Sequence, residues 1–249
     1  MVPSGTSFLR PMSDQTSPPQ HPFPFSDAAG AVSGLAAGNE SLAHRAYDAI
    51  FSAIQSGRLK AGSSVREADL TTWLAMSRTP LREALKRLEG EGLLRLQGHR
   101  GILISRLDRQ ATVELFTARE WGEGAAAALA ARNATPAEIA GLQHILELER
   151  GATDDPTLGA RYNRMLHEAI YDCTRNRYLI THLRAMSALL ALAGHATRRN
   201  AGRVVEAGRE HAALVDAIAR GDGHRAEEAA RSHIGAAQRF VLNNQAAAQ

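Results

Sequence analysis

The sequence predicts a mainly α fold, with an N-terminal winged helix-turn-helix and a larger C-terminal bundle that is helical throughout. Three observations carry this. Apolar residues recur at helical spacing from Leu42 onward, the strand-like alternation is confined to one stretch around residues 94–104, and the positive charge sits almost entirely in one short segment. Residues 41–106 hold eleven Lys and Arg against six Asp and Glu, while residues 107–249 balance at seventeen of each. A small basic domain joined to a neutral larger one points to a polyanion-binding module coupled to something with a different job.

The bulk numbers narrow the class further. A chain of 249 residues with 44% hydrophobic content can bury one or two ordinary cores. No run of apolar residues is long enough to span a bilayer, and the N-terminus lacks a secretory pattern, so a cytoplasmic protein with no membrane contact is expected. Cys173 stands alone, which excludes an intramolecular disulfide and a CxxC pair; it is expected to be a small buried hydrophobe.

Residues 1–40 contain PPQHPFPF and a Gly/Ala/Ser run with no sustained period, and are expected to form a flexible tail; Met12 is a second candidate start. From Leu42 the apolar positions Leu42, Ala46, Ala49, Ile50, Ala53 and Ile54 predict a first helix closed by Gly57. Leu70, Trp73 and Leu74 predict a second, shorter one, ended by the tight turn Ala75-Met76-Ser77. Ser77 is then the expected N-cap of a third helix. Pro80 falls in its first turn, where a missing N–H costs nothing.

Along this third helix Leu81, Ala84, Leu85 and Leu88 form a core stripe, and Arg78, Arg82 and Lys86 lie on the opposite side. Gly92 ends it. Leu94/Leu96 and Ile102/Ile104 then alternate around Gly98-His99-Arg100-Gly101, the pattern of a two-stranded hairpin. From about residue 108 roughly six helices are expected, punctuated by a Thr135–Glu138 capping box, by Asp155-Pro156 and by Gly221-Asp222-Gly223. The domains are therefore read as 1–40, 41–106 and 107–243.

Three helices and a hairpin in this order suit duplex DNA. A helix fits the major groove, and arginine offers a fork that pairs with guanine. Arg78 and Arg82 are the candidates for reading bases or phosphates, Thr79 for a phosphate or a thymine methyl, and Lys86 for backbone; His99 and Arg100 at the hairpin tip could enter the minor groove. Charge on the outer face of an amphipathic helix is also ordinary, and periodicity alone leaves both readings open.

The wording "GRLKAG…READL…SRTPLREALKRLEGEGLL…GHRG" over residues 41–106 resembles the DNA-binding domain of the GntR family of bacterial transcription regulators. With an all-helical second domain, the chain resembles the FadR subfamily, whose helical (FCD-type) domain binds effectors. Ala75 departs from the glycine that members often place in the turn. The resemblance implies a metabolite-responsive regulator, commonly a repressor, that binds a pseudo-palindromic operator as a homodimer and is not an enzyme. The segment Ser105–Asp108 is the expected hinge.

In the C-terminal half, Asn163 and His167 share a helix face, and His211 and His233 fall on what should be the last two helices, either side of the Gly-Asp-Gly break. Spacing by itself is a weak signal among ten histidines, and His144, His182, His195 and His224 are expected at the surface or in caps. In the subfamily an Asp or Asn four residues before a His, with two further His at this spacing, forms a divalent-metal site; the resemblance therefore implies Asn163, His167, His211 and His233 as ligands. Zn²⁺ or Ni²⁺ suits imidazole. Arg119 matches the subfamily's carboxylate-clamping arginine, with Glu123 as its partner, although an outward Arg–Glu pair at i, i+4 is routine on helices.

Two rival readings remain. A metal-dependent hydrolase would use three His with an open position, but there is no HExxH and no obvious acid or base beside the trio. A helical interaction protein would leave the basic domain merely solvated.

Overall fold

The computed structural model describes residues 41–98, 101–193 and 200–247. The expected tail, Met12, His99, Arg100 and His195 lie outside the described residues.

The basic domain is built as its periodicity predicts. Helix α1 (Leu42–Ser56) is capped by the Ser41 side chain and closed by Gly57 in the left-handed region. Helices α2 (Glu67–Leu74) and α3 (Arg78–Gly90) pack their apolar stripes on it. Ala46, Ile50, Leu70, Trp73, Leu81, Leu85 and Leu88 share one core. Leu42 is a correction: it is 52% exposed, because it starts the helix ahead of the first packed turn.

The hairpin is part of a three-stranded antiparallel sheet of order β1-β3-β2, with β1 Ser64–Val65, β2 Leu94–Leu96 and β3 Ile102–Ile104. The first strand was illegible because two residues carry no alternation. It also explains Gly101, at φ +94, where a Cβ would meet the Val65 carbonyl oxygen at 2.8 Å. Leu94, Ile102 and Ile104 are buried, but Leu96, at the end of the edge strand β2, is 39% exposed while its partner Ile102 on the central strand is covered.

The second domain holds six α-helices among the described residues: α4 (Arg109–Asn133), α5 (Pro136–Gly151), α6 (Pro156–Cys173), α7 (Arg177–Leu189), α8 (Ala201–Ala219) and α9 (Gly223–Ala247). The punctuation acts as expected. Thr135 and Glu138 close a reciprocal capping box, and Asp155 caps α6 with Pro156 in the first turn. Small residues let α4 lie close to its neighbours, with Ala127, Ala130 and Ala131 meeting Ala226 and Ala230. Cys173 is buried in the same cluster, and burial raises its thiol pKa.

A 3-10 turn, Leu190–Ala193, follows α7 and ties the two domains together. Its Ala191 and Leu192 are buried in the core of the basic domain. The direct connection is short: the Ser105 N–H donates to the Leu93 carbonyl at 3.0 Å, and Asp108 caps α4 through the Ala111 N–H at 2.7 Å.

Candidate functional site

Two groups of side chains stand out. The first is the outer face of α3, where Arg78, Thr79, Arg82 and Lys86 are all exposed. Ser77 occupies the N-cap position, but its side chain makes no cap hydrogen bond, contrary to expectation. Arg82 is tethered: its Nε donates to Glu67 Oε1 of α2 at 2.9 Å, with the two side chains 62% and 32% exposed. Ala75 adopts φ 50, ψ 41, the left-handed conformation that the turn requires and that an alanine tolerates poorly.

The second group lies inside the helical domain. α6, α8 and α9 deliver His167, His211 and His233, and one nitrogen of each imidazole lies within 4.8 Å of the others. All three are buried. Each Nδ1 faces a carboxylate: His167 with Glu123 at 3.1 Å, His211 with Glu149 at 2.8 Å, and His233 with Glu210 at 2.6 Å. A carboxylate at Nδ1 accepts a hydrogen bond from Nδ1–H, which keeps the proton there and leaves Nε2 as the free nitrogen, so each ring is held in the tautomer and orientation a metal ligand needs.

The inner nitrogens fit a cation. Nε2 of His211 and Nε2 of His233 stand 3.3 Å apart. In the neutral tautomer these are two lone pairs facing each other, which repel unless a cation lies between. Bonds of about 2.0–2.1 Å at tetrahedral angles would space two zinc-bound nitrogens by about 3.4 Å. The His233 pKa is pushed well below the ordinary range by burial first, then by His211, His167 and Arg203, which keeps its imidazole neutral. Asn163 is half-buried one helical turn before His167 on α6 and lines the same cavity as His167 and His233.

Around this centre the acidic groups are committed. Glu123 also accepts from the Tyr171 hydroxyl at 2.6 Å and from Arg119 Nη2. Burial alone would raise its pKa; the neighbouring His167 and Arg119, with hydrogen bonds from His167 and Tyr171, outweigh that and hold it well below the usual carboxylate range. Arg119 is 3% exposed, so the outward surface pair is excluded. The sequence reading also saw no acid beside the histidines. Glu123, Glu149 and Glu210 correct it. Glu149 comes from α5, 62 residues before its histidine, where no pattern could announce it. Glu210 directly precedes His211 and could have been noticed. Of the remaining histidines, His144, His182 and His224 are exposed.

The histidine centre opens on a cavity of about 170 Å³, with Phe116, Leu190, Val204 and Val241 as apolar wall and Arg119 in its lining. A second cavity, about 560 Å³, lies between the domains, lined by Tyr47, Phe51 and Arg87 of one and Arg164 and Arg184 of the other. Arg119, Asn163 and His167 line both. No helix among the described residues is long and apolar enough to cross a membrane.

Comparison with known proteins bears on both groups. Residues 42–104 match the model of the bacterial regulatory proteins of the gntR family, and residues 114–236 match the FCD domain. The chain is 30% identical over 203 residues to a probable D-xylose utilization operon transcriptional repressor of Paenarthrobacter nicotinovorans, covering 79% of this chain and 87% of the relative. It is 25% identical to the transcriptional regulator LutR of Bacillus subtilis, over 73% of this chain and 92% of LutR. Among solved structures, E. coli McbR/YncC shares the fold with a TM-score of 0.74 at 22% identity, over 83% of this chain and 99% of that one. With a gntR-type helix-turn-helix ahead of an FCD domain and relatives that are transcriptional regulators rather than enzymes, the chain belongs to the GntR family.

Proposed function

We propose that this regulator is a homodimeric, cytoplasmic repressor that holds a divalent metal in its helical domain and leaves a two-fold symmetric operator when a small carboxylate binds beside that metal. The observation that carries the metal is the inward convergence of His167, His211 and His233, each with Nδ1 on a carboxylate. Asn163 would supply the fourth donor through its amide oxygen. A neutral amide leaves the centre one unit more positive than an aspartate would, which weakens metal retention and strengthens the pull on an anion. Zn²⁺ or Ni²⁺ suits three imidazoles; when bound, either ion would supply the positive charge that draws a carboxylate oxygen to this centre. Arg119 supports the effector assignment, being buried in the cavity wall with Nε lacking any hydrogen-bond partner.

On the DNA side, Arg78 and Arg82 would read base edges, Thr79 and Lys86 would hold phosphates, and His99 and Arg100 would reach the adjacent minor groove. The repressor named among the relatives favours repression as the sign. Coupling requires the effector to bind one arrangement of the domains better than another. The 3-10 turn is a candidate for that link beside the Ser105–Asp108 connection. Leu190 and Ala193 line the effector cavity, while the intervening Ala191 and Leu192 sit in the core of the DNA-binding domain.

Enrichment of binding sites from a genomic DNA pool by the full chain, at near-physiological salt, tests the reading, with an Arg78→Ala/Arg82→Ala variant as control. A two-fold symmetric site enriched by the wild type alone is expected. Failure to enrich any site with metal supplied would refute operator binding.

A further inference from the structure

The cavity at the histidine centre contains a second arginine that no pattern along the chain announces. Arg203, near the start of α8, is 6% exposed and lines the cavity. Its Nη2 donates to Glu210 at 2.8 Å, and Glu210 in turn stands 2.6 Å from His233 Nδ1. This repeats the chain on the other side, where Arg119 donates to Glu123 and Glu123 meets His167. Two Arg–Glu–His chains thus flank one cavity.

In both arginines part of the guanidinium is left over. Arg119 Nε and Arg203 Nη1 are buried without a hydrogen-bond partner; Arg203 Nη1 makes only a long ion pair of 3.5 Å with Glu206, whose side chain is 63% exposed. Of the acidic groups in the wall, Glu149 meets His211, and Asp155 accepts through Oδ1 from the backbone N–H groups of Thr157 and Leu158. A buried cationic donor without a hydrogen-bond partner points to a missing anionic ligand. The same cavity wall that holds the two guanidinium groups also offers hydrocarbon, from Phe116, Leu190, Val204, Ala237 and Val241.

We infer that the site takes a short dicarboxylate, one carboxylate at Arg119 and the metal centre, the other at Arg203, with a hydrocarbon middle against the apolar wall. This rests on the carboxylate reading above and narrows it. The volume of about 170 Å³ is close to that of an engineered cavity of about 150 Å³ that holds benzene, so the ligand is small, about four to six carbons. A second charge-assisted hydrogen bond should favour the diacid over the monoacid by about tenfold or more.

Calorimetric titration of the zinc-loaded full chain with butyrate, succinate, glutarate and adipate tests this. At least one diacid should bind about tenfold more tightly than butyrate, and Arg203→Gln should bring that ratio close to one, with Arg203→Lys restoring part of it. Metal content of each variant, measured in parallel, separates loss of the clamp from collapse of the Glu210–His233 support. Equal affinity of wild type for butyrate and every diacid, or a ratio unchanged by Arg203→Gln, would overturn the inference and leave the monocarboxylate reading standing. No heat with any of the four would sink both.

Discussion

At Glu123 one carboxylate accepts from Arg119 and Tyr171 and holds His167 in line, all out of contact with water. Removing it would leave the Arg119 charge buried without compensation, so Glu123→Ala should cost about 3–5 kcal/mol in denaturant unfolding of the metal-free protein, more than an ordinary surface substitution. His233 sets a pH dependence. Its native pKa is depressed, so below about 6.5 the unfolded chain takes up a proton that the native imidazole refuses, and stability of the metal-free protein should fall as pH drops through and below that value. A midpoint flat between pH 7.5 and 5.5, give or take about 0.5 units, would contradict the assignment. Ala75 in the left-handed region is a small local strain, and Ala75→Gly should stabilise the protein by about 0.5–1 kcal/mol in thermal unfolding.

At the scale of single elements, α3 joins an apolar stripe facing the core to a cationic face turned outward. Arg82 is half-committed to Glu67, an exposed pair worth little that a phosphate or base can displace. Arg82→Ala should relax specificity at one base position by about 1–3 kcal/mol, whereas Lys86→Ala should weaken binding to all sequences and reduce the salt slope by about one. Equal effects of the two on specificity would remove the distinction. The 3-10 turn Leu190–Ala193 makes a separate prediction, because its two faces belong to different domains. Leu192→Ala should leave metal content intact while reducing the change in operator affinity that effector produces, read by fluorescence anisotropy with and without succinate.

At the scale of the whole molecule the parts share walls: Arg119, Asn163 and His167 line both the cavity at the histidine centre and the cleft between the domains. Chelation should lower the unfolding temperature, and metal at about 100 times its dissociation constant should restore about 2.7 kcal/mol; His167→Ala/His233→Ala should abolish both the metal and that increment. Much of this was legible beforehand. Helical periodicity announced α1 to α3, turn and cap chemistry placed the breaks at Gly57, Thr135, Asp155 and Gly221, and the concentration of net positive charge in residues 41–106 located the polyanion-binding part, because these properties are local along the chain. Spacing alone made the histidines only a weak suggestion, and the resemblance to a family was needed to group them. What packing alone decided is everything that joins distant residues: the pairing of β1 with β3, the three glutamates behind the three imidazoles, Arg203 and Arg119 in the lining of one cavity, and the turn that puts Leu192 into a foreign core. Those contacts join segments separated by tens of residues, and no local pattern encodes which carboxylate will meet which ring once six helices have chosen their neighbours.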